Sequence, residues 1–252
     1  MFDTIILLTG RIERAALASV FRLHSPQLNI HVAETLAELE SLDPALLGRA
    51  RLIGFVTPVI VPPKILERLR FGAYNFHPGP PHYPGWLPAH FAIYDRAKIF
   101  GATAHLMAER VDAGPIVGVE LFDVQPNSSV ESLEQLAYLK LARIFWDLAK
   151  QLATQSEPLS ELPIKWSGRK TTRRQYESMG NIQIGISKEE LNRRIEAFGG
   201  GHFGLTLNIM IHGRKFRYSG PELETKVETP PIGRLWGSQP PTRRPQYRKN
   251  AL

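Results

Sequence analysis

Apolar runs of strand length alternate with stretches of helical spacing through the first part of the chain. Residues 3–9 are almost entirely apolar, which predicts a strand buried on both faces. Residues 13–23 follow with Ile12, Ala15, Ala16 and Val20 at helical spacing. A second short strand is predicted at 28–32, a helix at 34–42 and a third strand at 51–57. Pro63 suits the first turn of a helix over 64–69, where a missing N–H costs no hydrogen bond. Residues 72–77 read as the fourth strand. This β-α-β-α-β-α-β alternation predicts an α/β fold, a Rossmann-like, mostly parallel sheet with helices on both faces.

The pattern then changes. Pro78, Gly79, Pro80, Pro81, Pro84 and Gly85 forbid a regular element. A helix is expected over 87–96 and strands over 100–107 and 115–124. Those two strands are joined too closely for a helical crossover, so they pair antiparallel or run on through a bend. Ser128 with Glu131 reads as a capping box opening a helix that runs to about residue 153. Ser187 and Glu190 start another helix, which Gly199, Gly200 and Gly201 stop. Strands at 205–211 and 215–218 meet at His212-Gly213-Arg214, a hairpin signal. A helix and a hairpin bury too little alone, so this unit is expected to pack on the rest. The expected division is a main domain over 1–156, a connector and small C-terminal helix–hairpin unit over 157–219, and a Pro-rich basic tail over 220–252, extended or disordered.

Composition narrows the picture modestly. The 252 residues carry 31 Lys and Arg against 24 Asp and Glu, a net charge of +7, which favours anionic partners. Lys165, Arg169, Lys170, Arg173 and Arg174 cluster in the connector, and Arg243, Arg244, Arg248 and Lys249 in the tail. There is no cysteine, which excludes disulfides and thiolate metal sites. No apolar run approaches the roughly 20 residues a bilayer needs, and the N-terminus has an acid where a signal peptide is basic. A cytoplasmic location and no membrane association are expected.

The candidate chemistry lies where the fourth strand meets the Pro/Gly loop. Asn75 and His77 are two apart, so on an extended chain they share a face at a strand's C-terminal end. In open α/β sheets ligands bind at that edge. Further on come Gly101-Ala102-Thr103-Ala104-His105 and Asp112-Ala113-Gly114-Pro115-Ile116. Asn-x-His, a Pro/Gly loop, Gly-x-Thr-x-His and Asp-x-Gly-x-Ile, in that order, resemble the folate-dependent formyltransferases. That family acts on methionyl-tRNA, glycinamide ribonucleotide and nucleotide-linked amino sugars. The resemblance is strong over residues 50–125 and weak in the flanks.

The resemblance implies formyl transfer from 10-formyltetrahydrofolate to an amine, with Asn75, His77 and Asp112 as the catalytic set. Acyl transfer needs a donor for the developing oxyanion, a base for the amine's proton and a group that orients the imidazole. Asn75 suits the first task, His77 the second and Asp112 the third, although which of His77 and Asp112 takes the proton is left open. The family's folate loops correspond here to Thr57, Pro58, Val59 and Ile60 and to Arg110 and Val111. Tyr83, Trp86, Lys165 and Arg169 are expected on the acceptor side. Histidines 77, 82, 90 and 105 match no standard ligand spacing, so no metal is expected.

The small C-terminal unit is most like that of the nucleotide-linked amino-sugar enzymes, which serve surface polysaccharides such as O-antigen. His77-Pro78-Gly79-Pro80-Pro81 departs from the Ser-Leu-Leu-Pro common in the tRNA enzymes. A nucleotide-linked amino sugar is therefore the expected small-molecule partner and tRNA the less favoured one. A methionyl-tRNA formyltransferase, a formyltetrahydrofolate hydrolase and a non-catalytic folate or nucleotide binder are the alternatives. A homodimer is allowed, and the sequence gives no oligomeric state.

Overall fold

The computed structural model describes residues 1–201 and 206–220. Met1–Tyr218 form one compact unit. The tail expected over 220–252 lies outside the described residues from 221 onwards, as does the start of the strand expected from residue 205.

A six-stranded sheet runs in the order β2-β1-β3-β4-β5-β6. Its strands are β1 (Thr4–Leu8), β2 (Asn29–Ala33), β3 (Ala50–Phe55), β4 (Ala73–His77), β5 (Ile99–Leu106) and β6 (Ile116–Asp123). The first four are parallel; β5 joins β4 antiparallel, and β6 joins β5 antiparallel with a register shift at Ala104/His105. The mostly parallel α/β fold expected from the alternation is what the chain adopts.

Side-chain alternation sorts each strand between two cores. Ile5, Leu7, Ile53, Phe55, Tyr74 and Phe76 face the long helices α1 (Arg14–His24) and α6 (Val130–Thr154). There Phe21, Phe55 and Phe76 meet Phe145 edge-on at 5.1–5.9 Å between ring centres, the arrangement that aromatic quadrupoles favour. Ile6, Leu8, Leu52 and Ala73 face the other side. Only short helices cover it: α2 (Leu36–Glu40), α3 (Pro44–Leu47) and α4 (Pro63–Leu66). That thin cover leaves the C-terminal ends of β3 and β4 open on one face. Pro63 occupies the first turn of α4 as expected.

Three local readings change. Ser129 rather than Ser128 caps α6, and Ser132 rather than Glu131 closes the box. A serine hydroxyl one turn in reaches the cap amide at 2.9 Å, which the shifted start allows. The four-residue helix α3 was not anticipated; Asp43 caps it and Pro44 begins it. The basic stretch contains a helix as well, α7 (Arg173–Met179), with Thr172 and Gln175 in a capping box. After α7, β7 (Asn181–Ile182) joins the hairpin β8 (Asn208–Ile211) and β9 (Arg214–Arg217) in a small sheet, turned at His212 and Gly213 with φ of 47° and 77°. The helix α8 (Lys188–Phe198) packs on α5 (Pro88–Tyr94) through Phe198, whose ring lies 5.5 Å from that of Phe91.

Candidate active site

The open end of β3 and β4 holds a cavity of about 400 Å³. Asn75, His77, His105 and Asp112 line its polar end; Val59, Ile60, Val61, Leu66 and Met107 make an apolar wall. Each polar group has a local reason for its place. Asn75 and His77 are on alternate positions of β4, as the spacing requires. Asn75 stands opposite Gly54 on β3, where a Cβ would sit 3.0 Å from the Asn75 amide oxygen and 2.7 Å from Met107. Glycine there gives the amide its space. His105 stands opposite Asn75 in the antiparallel register of β5. Asp112 reaches back from the β5–β6 turn, where its own φ of 47° bends the backbone into the left-handed region.

The four side chains are linked in a row, Asn75 to His105, His105 to Asp112 and Asp112 to His77. His77 Nε2 donates to the Tyr83 carbonyl at 3.2 Å, which leaves Nδ1 facing Asp112 Oδ2 at 3.7 Å. His105 Nδ1 donates to the Leu106 carbonyl at 2.7 Å. Its Nε2 lies between Asn75 Nδ2 at 3.3 Å and Asp112 Oδ1 at 3.2 Å. Protonated, that nitrogen pairs with the carboxylate; unprotonated, it accepts from the amide. The Gly85 amide donates to Asp112 Oδ2 at 2.8 Å. Trp166 closes one side, its ring centre 5.0 Å from that of His105 and 6.1 Å from that of His77, while its Nε1 donates to Gly114 O.

Burial dominates the His77 imidazole and lowers its pKa; Asp112 opposes this and His105 adds to it. His77 is thus neutral near pH 7 with a basic Nδ1. Burial pushes the Asp112 carboxyl up, but His77, His105 and the Gly85 amide pull it further down, well below the usual carboxylate range. A sign follows for stability. Between its lowered folded pKa and the unfolded value of about 6.5, His77 takes up a proton only on unfolding, so stability falls as the pH drops below about 6.5. Asp112 contributes stability above its unfolded value of about 3.9 and loses it as pH falls towards the folded value. Urea midpoints measured from pH 8 to pH 3 are expected to decline in these two windows; a midpoint flat from pH 7 to 5 would contradict buried, neutral His77.

Of the residues expected at the site, the cavity collects Asn75, His77, Asp112, Thr57, Pro58, Val59, Ile60, Val111 and Trp86. It does not collect four others. Arg110 is exposed and outside the lining. Arg169 turns away to pair with Asp95 at 2.8 Å. Tyr83 and Lys165 line a different cavity, because residues 80–83 face away from the Gly85 and Trp86 side of the loop. In their place the connector supplies Lys170 and Arg173, the guanidinium of Arg173 lying 5.9 Å from the Trp86 ring centre. His105, read as a strand histidine, and Trp166 were not assigned to the site. The Gly-x-Thr-x-His fragment contained the signal for the first; nothing local marks the second.

Comparison with known proteins bears on the family and the fold. The profile of the formyl transferase family matches residues 52–141, the stretch from β3 into α6 that carries all four polar groups. Residues 52–141 form a formyl transferase domain. Over 132 residues the chain is 30% identical to the methionyl-tRNA formyltransferase of Pseudothermotoga lettingae, covering 51% of this chain and 44% of that relative. The chain thus spans less than half the length of this curated relative. In fold it is similar to a sugar N-formyltransferase from Shewanella sp., with a TM-score of 0.70 at 17% identity over 86% of this chain and 96% of that one. It is similar too to the N-formyltransferase of Helicobacter canadensis in complex with folinic acid and dTDP-3-aminofucose, with a TM-score of 0.59 at 15% identity over 84% and 85%. The sheet that carries the matched stretch extends beyond it, since β1 and β2 complete its far edge. No helix among the described residues is long and apolar enough to cross a membrane.

Proposed function

We propose that this chain transfers a formyl group from 10-formyltetrahydrofolate to the amine of a nucleotide-linked amino sugar. The observation that carries the reading is the meeting of Asn75, His77 and Asp112 at the end of one cavity. The apolar wall beside them suits a flat ring. It is lined by the loop after β3, whose backbone amides and carbonyls can read a pterin edge.

The residues divide the work as follows. The Asn75 amide donates to the formyl oxygen as charge builds there. The amine nitrogen bonds to the formyl carbon and sheds a proton to His77 Nδ1. Asp112, held ionised, is a poor base and serves instead to stabilise the imidazolium 3.7 Å away. The proton then passes to the folate nitrogen as its bond to the formyl carbon breaks. Asn75→Ala is expected to lower kcat by about 10²–10³ with little change in folding, the usual effect of losing one oxyanion donor. A kcat within threefold of wild type would remove Asn75 from the scheme.

For the acceptor, the support is chemical. Lys170 and Arg173 put two cations on the same cavity as the catalytic set, beside the Trp86 ring. A diphosphate and a base need those groups. The second reading, methionyl-tRNA as acceptor, is favoured by the curated relative's activity and by the chain's positive charge. Tetrahydrofolate release from 10-formyltetrahydrofolate separates the two. Turnover with one member of a panel of nucleotide-linked amino sugars, and none with methionyl-tRNA, is expected. Turnover with the tRNA alone would overturn the acceptor assignment, and release with no acceptor would make the chain a hydrolase. Silence throughout, with folate still bound, would make it a binding protein.

A further inference from the structure

The loop that holds His77 has a second cavity behind it. It measures about 520 Å³, within the range of small-molecule sites. Tyr83, Pro80 and Pro81 line it from the loop; Ile99, Leu121 and Ile164 line it from β5, β6 and the connector. Those last three side chains stay 53%, 51% and 41% exposed although they are large and apolar. Lys98, Lys165 and His82 stand among them, and no aspartate or glutamate among the described residues lines the cavity. An apolar slot edged by two lysines, with no carboxylate in its lining, suits one chemistry: a flat apolar body with an anionic end.

The partition between the two cavities is thin. It consists of residues 80–86 laid beside residues 165–173. Ser167 donates from its amide to Pro81 O at 3.0 Å and from its hydroxyl to His82 O at 2.9 Å. Thr171 N donates to Pro84 O, and Trp86 N to Thr171 O, each at 3.0 Å. Gly85 is pressed against this second strand; with φ of 99°, a Cβ there would come within 2.2 Å of Thr171 O. One side of the partition therefore carries Pro80, Pro81, His82 and Tyr83 to the second cavity, and the other carries Gly85 and Trp86 to the first. Tyr83, 4% exposed, lines the second cavity while its carbonyl accepts from His77 Nε2. The Gly85 amide, two residues on, donates to Asp112.

We propose that this second cavity is a binding site for a small aromatic carboxylate, and that its occupation is felt at His77 through the Tyr83 backbone. A ligand lodged against Tyr83 bears on the residue whose carbonyl sets the His77 tautomer. Because the contact is to the Tyr83 backbone, the effect reaches the imidazole without any direct contact between the ligand and the catalytic groups. The proposal stands on the cavity and the partition, and does not depend on which amine the first site accepts.

The test uses the full chain, methyl-labelled at Ile, Leu and Val, titrated with 2-naphthoate. Shifts at Ile99, Leu121 and Ile164 are expected, with a Kd of about 1 mM or below, together with a shift of the His77 ring resonances. Val59 and Ile60, on the wall of the first cavity, should stay put. Lys98→Glu, a change at an exposed side chain, is expected to weaken binding about tenfold or more by reversing a charge at the mouth. Inorganic phosphate alone, lacking the apolar body, should not produce the methyl shifts. Shifts confined to Val59 and Ile60, no shifts at all, or an unchanged Kd in Lys98→Glu would each overturn the site. Shifts at Ile99 and Leu121 with a silent His77 would overturn the coupling.

Discussion

Asp112→Asn is expected to lower kcat by about three to four orders of magnitude, the scale of loss when a carboxylate supporting a catalytic imidazole is neutralised. The substitution keeps the shape of a side chain that is 7% exposed and wedged between two histidines. It removes the charge. Three consequences follow from the geometry. The His77 imidazolium formed after proton transfer loses its stabilising anion. His105 Nε2 loses an ionic acceptor at 3.2 Å, which biases it towards its other neighbour, the Asn75 amide. The Asn75 donor is then drawn away from the oxyanion, so one change weakens two of the three tasks. The His77 pKa, already lowered by burial, falls further, because Asp112 is the largest of the neighbours holding it up. The checks are kcat in single-turnover form and the His77 ring titration by NMR. A kcat within tenfold of wild type, or a His77 pKa that rises, would contradict the assignment. Glutamate at the same position is a harsher change, since the left-handed turn and the Gly85 hydrogen bond both set the carboxylate's reach.

What the sequence could and could not disclose is clear from particular residues. β1 was plain because a strand buried on both faces is written as a nearly unbroken apolar run, and β3 reads the same way apart from Arg51. Asn75 and His77 were plain for another reason: period-two alternation places them on one face without any tertiary knowledge. His105 is different. Its partner is set by the antiparallel register between β4 and β5, and a single strand's sequence does not state its register. Trp166, Lys170 and Arg173 are different again. They reach the site because residues 165–173 run beside residues 80–86, a pairing made mainly by backbone hydrogen bonds between segments far apart in the chain, which leaves no local pattern to read. The same pairing explains why Lys165 and Arg169 were misplaced. Positive charge near the connector was readable; which side of a two-stranded partition each cation would take was not. α7 was hidden for a simpler reason. Its first residues, Arg173 and Arg174, are charged and exposed, and Tyr176 alone is buried, so it lacks the apolar stripe that marks a helix.

Arg51 is the residue whose replacement should cost the fold most, and nothing in its sequence context announces this. It sits in the all-buried strand β3 and is 0% exposed. Its guanidinium donates to three backbone carbonyls: Nε to Phe71 O at 2.8 Å, Nη1 to Leu152 O at 2.6 Å and Nη2 to Glu157 O at 3.2 Å. The Phe2 ring lies 4.9 Å from the guanidinium carbon and the Tyr74 ring 5.6 Å. Leu152 is in the last turn of α6, where carbonyls have no helical partner. Arg51 therefore ends the long helix and anchors the start of the connector on the central sheet. The Tyr74 hydroxyl adds a second anchor by accepting from the Leu159 amide at 3.0 Å. Arg51→Met keeps the apolar stem and removes every donor, leaving the buried Leu152 carbonyl and the part-buried Phe71 and Glu157 carbonyls without this partner. A loss of about 2–3 kcal/mol in urea unfolding is expected, since a buried unpaired group costs about 1–3 kcal/mol. Arg51→Lys retains charge and should recover part of it, because an ammonium can serve one or two of the three carbonyls but not the planar fan. A loss below 1 kcal/mol in Arg51→Met would show that the carbonyls find other partners. If the connector is anchored as described, the destabilised variant should also bind folate more weakly, because Trp166, Lys170 and Arg173 all lie downstream of the Glu157 contact.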